Sequence, residues 1–350
     1  MSEIRGVRYS AVLEFFRSHV SGAADVGALE FELIGDGRSN ITYRVFAGER
    51  SWVLRRPPLG HVLPTAHDMA REFRVIAALA DTPVPVPRAH ALCEDPSIND
   101  APFYVMEYTP GVIVGGMKLP DGFAEKPAER RAMSLALVDT LVALHAVDPD
   151  SVGLGAFGRP QGYVERQVRR WSQQWERSST GPLPEIDELI RRLRAALPES
   201  PAPAIVHGDY RLGNMALDPS DPARVIAVFD WEMATLGDPL ADLGYTLIYW
   251  ADPGEQVEAL RSVVSGPGML TRAEIVAEYA ERSGRDVAAV DFYQVLALYK
   301  LAIISEGIYA RFVAGQTLGD QFKGTTRQTG ALAERALKIA DASADARLRG

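Results

Sequence analysis

Apolar positions change their rhythm about a third of the way along the chain. Residues 10–20 (SAVLEFFRSHV) put Val12, Leu13, Phe16 and Val20 on one helical face, which predicts a short leading helix. Three short runs rich in β-branched and aromatic residues follow at 29–34, 41–46 and 52–56. GDGRSN at 35–40 and AGERS at 47–51 separate them as turns. Residues 66–80 return to helical spacing, with Met69, Phe73, Ile76, Ala77 and Leu79 on the apolar face. TPVPVPR at 82–88 must be extended, because each proline disfavours helix in the residue before it. Strands at 89–93 and 103–108 complete a five-stranded antiparallel sheet carrying one inserted helix.

After Thr109-Pro110-Gly111 long helical patterns take over, at about 128–147, 163–178, 185–197, 238–250, 271–283, 289–313 and 326–341. Between 204 and 231 short strands (204–206, 215–217, 225–229) alternate with loops. The pattern predicts an α+β chain of two lobes. A small β lobe spans 1–109 and a mainly helical lobe spans 110–350, with a hinge at about 105–111. A cleft between such lobes is a common place for a small-molecule site.

Composition adds exclusions. In 350 residues the hydrophobic share of 47% and charged share of 24% are those of an ordinary globular chain. A net charge of −9 leaves no basic footprint for nucleic acid or anionic lipid. The acidic excess is spread, with 11 basic and 14 acidic residues through residue 109 and 26 and 32 after it. One cysteine, Cys93, permits no internal disulfide, and with no apolar run of membrane-spanning length and no signal-peptide core the expected setting is the cytoplasm. One imbalance stands out. Of 37 basic residues only Lys118, Lys126, Lys300, Lys323 and Lys338 are lysines, so the first 117 residues hold none.

The segment richest in chemistry is IVHGDYRLGNMAL, 205–217, followed by VIAVFDWE, 225–232. Both place polar groups directly after apolar strands, so His207, Asp209, Asn214, Asp230 and Glu232 should sit at strand ends around one space. Asn214 and Asp230 offer oxygens to a hard cation such as Mg²⁺, which takes few protein ligands and fills the rest with water and phosphate. Asp209 is then free to orient a hydroxyl and take its proton. Taken singly, each of these residues serves equally well as a cap or turn; five in order behind two apolar strands favour a site.

His207-Gly208-Asp209-Tyr210-Arg211-Leu212-Gly213-Asn214 has the H-x-D-x-x-x-x-N spacing of the protein-kinase catalytic loop. With Asp230 after a short hairpin, it resembles the aminoglycoside phosphotransferase family of kinase-like enzymes. The likeness runs through LIGDGRSNITYRV (33–45), WVLRRP (52–57), YVMEY (104–108) and TLGDPLADLGY (235–245). Its texture is closest to the kinase-like domains joined to some acyl-CoA dehydrogenases. The resemblance implies a protein-kinase-like bilobal fold and transfer of the ATP γ-phosphate to a hydroxyl of a small molecule. It implies Asp209 as catalytic base, Asn214 and Asp230 as Mg²⁺ ligands, and Glu107 and Tyr108 as backbone contacts to adenine. Glu72 would hold the third-strand cation, Asp242 would buttress the catalytic loop, and Asp238 would cap the helix that follows. His207 would bond backbone near Asp230. The acceptor could be an aminoglycoside-like compound, an amino-alcohol, a sugar or a hydroxyacyl thioester.

Two departures qualify that likeness. The loop at 35–40 has only Gly35 and Gly37, so phosphate would rest on backbone N–H groups helped by Ser39 or Asn40, and a plain turn fits it almost as well. The third-strand lysine of the kinase pattern is here Arg55, with no lysine in the small lobe to replace it. Arg56 falls on the opposite sheet face. Arginine offers phosphate a planar fork in place of a point charge. Tyr163, Trp171 and Trp175 share a predicted helix with several arginines; packing explains them better than a substrate wall. Glu232 is a secondary candidate for metal or substrate. Two rivals remain: a nucleotide-binding module without catalysis, and a metal-dependent hydrolase built on His207 and Asp209. A protein kinase is disfavoured, because WEMATLGDPLAD after Asp230 leaves no long activation segment.

Overall fold

The computed structural model describes residues 4–34, 40–59, 67–115, 119–252, 255, 266–315 and 327–350. Ser39 and the glycines of the 35–40 loop lie outside the described residues. In chain order the elements are α1 (Tyr9–His19), β1 (Glu30–Ile34), β2 (Ile41–Ala47), β3 (Arg50–Arg56), α2 (Met69–Leu79), β4 (Ala89–Cys93), α3 (Pro96–Asn99), β5 (Phe103–Glu107), α4 (Pro127–Ala146), α5 (Tyr163–Ser178), α6 (Pro184–Ala195), β6 (Ala204–Val206), β7 (Met215–Asp218), β8 (Asp221–Val228), β9 (Thr235–Gly237), α7 (Leu240–Ile248), α8 (Arg272–Ser283), α9 (Val290–Val313), α10 (Thr329–Ala342) and α11 (Ala346–Arg349). The fold is α+β, kinase-like and bilobal.

The small lobe is an antiparallel sheet in the order β1-β2-β3-β5-β4. It is covered on both faces, and alternation along β3 and β5 explains how. Trp52, Leu54, Phe103 and Val105 point to one side and pack with Val12, Phe15 and Phe16 of α1. Val53, Tyr104 and Met106 point to the other side, where α2 contributes Met69, Val75, Ile76 and Leu79. That second layer is continuous with the core of the helical lobe. Adjacent arginines on β3 are therefore sent apart. Arg56 is buried on the α1 side, bonded to the carbonyls of Gly6, Asn99 and Pro57, whereas Arg55 faces α2 and the cleft.

The helix expected at 66–80 runs Met69–Leu79 because the Asp68 side chain accepts from Arg71 N–H and fixes its start. The lobe carries more than one helix: α1 closes the far face, and the short α3, unmarked by any helical period, has Pro96 in its first turn behind the Asp95 cap. Arg71 stitches the lobes, donating to the carbonyls of Phe157 and Ala234 at 2.9 Å each. At the connection, a Cβ on Gly111 would lie 2.7 Å from Ala216 Cβ and 2.9 Å from Leu217 O, so glycine lets the chain pass against β7. Val112 pairs there with Leu217 in an isolated bridge. Among the described residues, no helix is long and apolar enough to cross a membrane.

Candidate active site

The segment after β6 turns through Gly208 at φ +84, where a Cβ would lie 2.8 Å from the Met233 carbonyl oxygen. Glycine is required there on both counts. Its backbone is held by Asp242, the first-turn acid of α7, whose carboxylate accepts from His207 N–H at 2.6 Å and Gly208 N–H at 2.7 Å. Asp242 is fully buried. Burial acts to raise its carboxyl, but the hydrogen bonds from His145 and the His207 amide outweigh it and leave it below the ordinary range. Tyr210 adds a second anchor, donating to Leu137 O of α4 at 2.8 Å, while its own carbonyl accepts from Thr246. Asp238 accepts from Leu240 N–H at 3.0 Å and so caps the start of α7.

His207 accepts from Asp209 N–H at Nδ1 (3.2 Å), and its Nε2 meets Phe229 O at 2.8 Å, the pattern of a neutral Nε2–H ring. The ring lies against Trp231, centroids 4.6 Å apart. Both nitrogens are occupied in holding the 207–209 segment to the end of β8.

Asp209 and Asn214 form the next layer. The Asn214 amide donates to Asp209 Oδ2 at 2.7 Å and to Asp209 O at 2.8 Å, across a single tight turn at Leu212–Asn214. Both amide contacts use Nδ2, which keeps the oxygen Oδ1 for other partners. Phe229 N–H donates to Asn214 O at 2.8 Å, tying this turn to the strand that ends before Asp230. On its other side Asp209 Oδ1 lies 3.3 Å from Arg211 Nε. The contact is an ion pair, and neither of these two buried atoms makes a well-formed hydrogen bond.

Arg55 reaches into the same space from β3. Its Nε donates to Glu72 Oε2 at 3.1 Å and its Nη2 to Asp230 Oδ1 at 2.5 Å, with Glu232 Oε2 at 3.9 Å. Burial opposes the guanidinium charge, but Glu72, Tyr104, Asp230 and Glu232 more than offset it and push its proton affinity up. Glu72 is 1% exposed; its carboxyl is raised, by burial first, against the pull of Arg55 and with the push of Asp230 and Glu232. Glu72 Oε1 and the Tyr104 hydroxyl are both buried without a hydrogen bond of good geometry. Asp230 sits in the left-handed region at φ 65, a strained position for a non-glycine residue.

Asn40 is buried at the start of β2, bonding Glu232 Oε2 through Nδ2 at 3.1 Å and His67 Nδ1 through Oδ1 at 2.9 Å. Both ends of its amide are committed to protein. Glu107 is exposed at the end of β5, and its N–H donates to Arg88 O at 2.8 Å. Tyr108 lies beneath the Arg44 guanidinium, 4.3 Å from ring centroid to Cζ. Of the α5 aromatics, Trp175 is core, whereas Tyr163 and Trp171 line a recess beside Gly208 with Tyr245 and Lys300.

Sequence reasoning assigned no role to Arg211, His67 or Lys300. A cation inside the apolar run YQVLALYKLAII was the available signal for Lys300. Among the described residues, no group of three or more His, Cys, Asp or Glu side chains could by itself hold a metal ion.

The phosphotransferase enzyme family model matches residues 30–293. The chain is 36% identical over 335 residues to mouse (Mus musculus) acyl-CoA dehydrogenase family member 10, covering 94% of this chain but 30% of that protein. The chain thus spans less than a third of that relative's length. Among solved structures it is similar to a candidate aminoglycoside phosphotransferase from Ralstonia eutropha, with 34% identity, TM-score 0.82, and 96% and 99% of the two chains covered. An aminoglycoside phosphotransferase solved as a ternary complex with AMP-PNP and hygromycin B shares the fold at 14% identity and TM-score 0.61, covering 91% of this chain and 97% of that one.

Proposed function

The chain belongs to the phosphotransferase enzyme family, and from that premise we propose that it moves the γ-phosphate of ATP to a hydroxyl of a small molecule, with Asp209 as base. The observation that carries this reading is the Asn214 amide, which fixes Asp209 by two hydrogen bonds and leaves its own oxygen available. Asp230 stands across the same space on the Arg55 fork. A divalent cation bound by ATP suits that donor set, because Mg²⁺ is usually held by one or two carboxylates plus substrate phosphates. Asn214 and Asp230 are the residues that would hold it, and when bound it would neutralise charge on the β- and γ-phosphates.

The chain's own groups do the rest. Asp209 orients the acceptor hydroxyl and takes its proton as the hydroxyl oxygen bonds to the γ-phosphorus. The bond from the γ-phosphorus to the β–γ bridging oxygen breaks, and ADP leaves with that electron pair. Arg55 contributes a permanent positive charge toward the phosphates, and Glu72 keeps its fork in position. Tyr108 is the hinge amide for adenine, since the Glu107 N–H is already engaged. The assignment of Ser39 to the phosphate loop stays part of this proposal. Asn40 acts at one remove, by fixing Glu232 and His67.

A second reading, a nucleotide-binding module without turnover, draws on the Arg55–Asp230 ion pair, which ties up a residue needed for metal. ADP release from ATP, measured with and without Mg²⁺ and with hydroxylated metabolites, separates the two. Mg²⁺-dependent, acceptor-stimulated release supports phosphotransfer; nucleotide binding without release supports the module. The hydrolase reading draws less support, because both His207 nitrogens are engaged with backbone and only Asp209 of its two residues stays open to a proton.

A further inference from the structure

Lys300 is a cation set into the long, largely apolar helix α9. Its ammonium donates to Gly208 O at 3.2 Å, the residue just before Asp209. It rests 4.9 Å from the ring centroid of Tyr245 and 5.9 Å from that of Trp171. These side chains, with Tyr163, Tyr293 and Gly208, line a cavity of about 40 Å³. Lys300 is the one charged group among the described residues that line it. The cavity adjoins the catalytic carboxylate: the Tyr245 hydroxyl is raised by burial and then by the negative charge of Asp209.

An ammonium carries three donors, and among the described residues one of the three on Lys300 is used. Aromatic faces attract a cation but accept no directional hydrogen bond of comparable strength. Burial draws the proton affinity of Lys300 down, while the Asp209 and Asp242 charges act the other way. A half-buried cation in that position gains most from an anionic oxygen. The recess is open to one side and leaves room beside the ammonium for a carboxylate-sized group.

We propose that Lys300 is the acceptor-binding residue of this site, its ammonium holding a carboxylate oxygen of a short hydroxycarboxylate whose hydroxyl reaches Asp209. Amino-alcohols and polycationic acceptors are disfavoured by the same charge. The inference rests on the phosphotransfer reading above and adds the class of acceptor to it.

The test is ADP release with Mg²⁺–ATP and a panel of two- to five-carbon (about that size) hydroxycarboxylates, their uncharged amides and matching amino-alcohols. In the wild type the carboxylates should exceed their amides in kcat/KM by about tenfold to a hundredfold, the scale of one charge-assisted hydrogen bond. Lys300→Met should erase that difference by raising acceptor KM, and leave ATP KM in place. Lys300→Arg should restore part of the preference, and thermal unfolding of both variants checks that they fold. Equal losses on charged and neutral acceptors in Lys300→Met, or a raised ATP KM, would overturn the proposal. Preference for amino-alcohols in the wild type would overturn it too, while leaving phosphotransfer standing. Absence of acceptor-stimulated ADP release with every class would overturn both.

Discussion

Two parts of the cleft are built on opposite principles. Around Asp209 the geometry is held by hydrogen bonds to backbone: Asp242 on two amides, Asn214 on a carbonyl and a carboxylate, His207 on Phe229. Around Arg55 it is held by charge: one guanidinium among Glu72, Asp230 and Glu232. Backbone bonds to a buried group have no better partner to turn to, so the loop keeps its shape whether or not substrate is present. Ion pairs can be exchanged, and phosphate or a divalent cation competes for the same atoms. On the proposed function, the Asp209 side would be preorganised for transition-state stabilisation, and the Arg55 side would change partners when nucleotide arrives.

Substitutions can break this contrast. The largest effect belongs to Asp209→Ala, which should lower turnover by about 10²- to 10⁴-fold, the usual contribution of a general base, with little change in unfolding midpoint; steady-state ADP release and a denaturant titration check both halves. Asp242→Ala should act on stability instead. It orphans two buried backbone donors at about 1–3 kcal/mol each, so roughly 2–6 kcal/mol should be lost in chemical denaturation. Arg55→Ala should raise the ATP KM about tenfold, the value of one charge-assisted contact. Arg55→Lys should recover part of that, and a full recovery would show that the fork is dispensable.

The smallest effect lies outside the cleft. Glu306, fully buried on α9, bonds Thr180, Arg327 and Thr329. Burial alone would raise its carboxyl, but those hydrogen bonds win and hold it at about 2, below its ordinary 4.5. A depressed carboxyl contributes stability that is present above the unfolded value and lost as pH falls through the folded one. Wild type should therefore lose more stability than Glu306→Gln between about pH 5 and about pH 3 in a denaturation series. Equal losses would show that Glu306 does not titrate against this network.

Much of this was legible in the chain, for physical reasons. Period-two alternation along WVLRR sent Arg55 and Arg56 to opposite faces, and burial of Arg56 among the carbonyls of Gly6 and Asn99 agrees. The helix Tyr163–Ser178 and the strand Ala204–Val206 fall where their patterns put them. The short β9 was not foreseen, since Thr235–Gly237 is three residues whose strand character comes from pairing with β6. Trp171 and Trp175 share one helix, as expected, and both pack on the same core; Trp175 is buried in it, whereas Trp171 is partly buried and also lines the recess. Lys300 was hidden because helical periodicity describes which face is apolar, not which distant loop that face meets.

The direct test of the central contrast is calorimetric binding of AMP-PNP with Mg²⁺ to Asp209→Ala and Asp230→Ala. The account predicts wild-type affinity for Asp209→Ala and strongly weakened, no longer Mg²⁺-dependent binding for Asp230→Ala. Binding lost in Asp209→Ala and spared in Asp230→Ala would contradict it and exchange the roles of the two carboxylates.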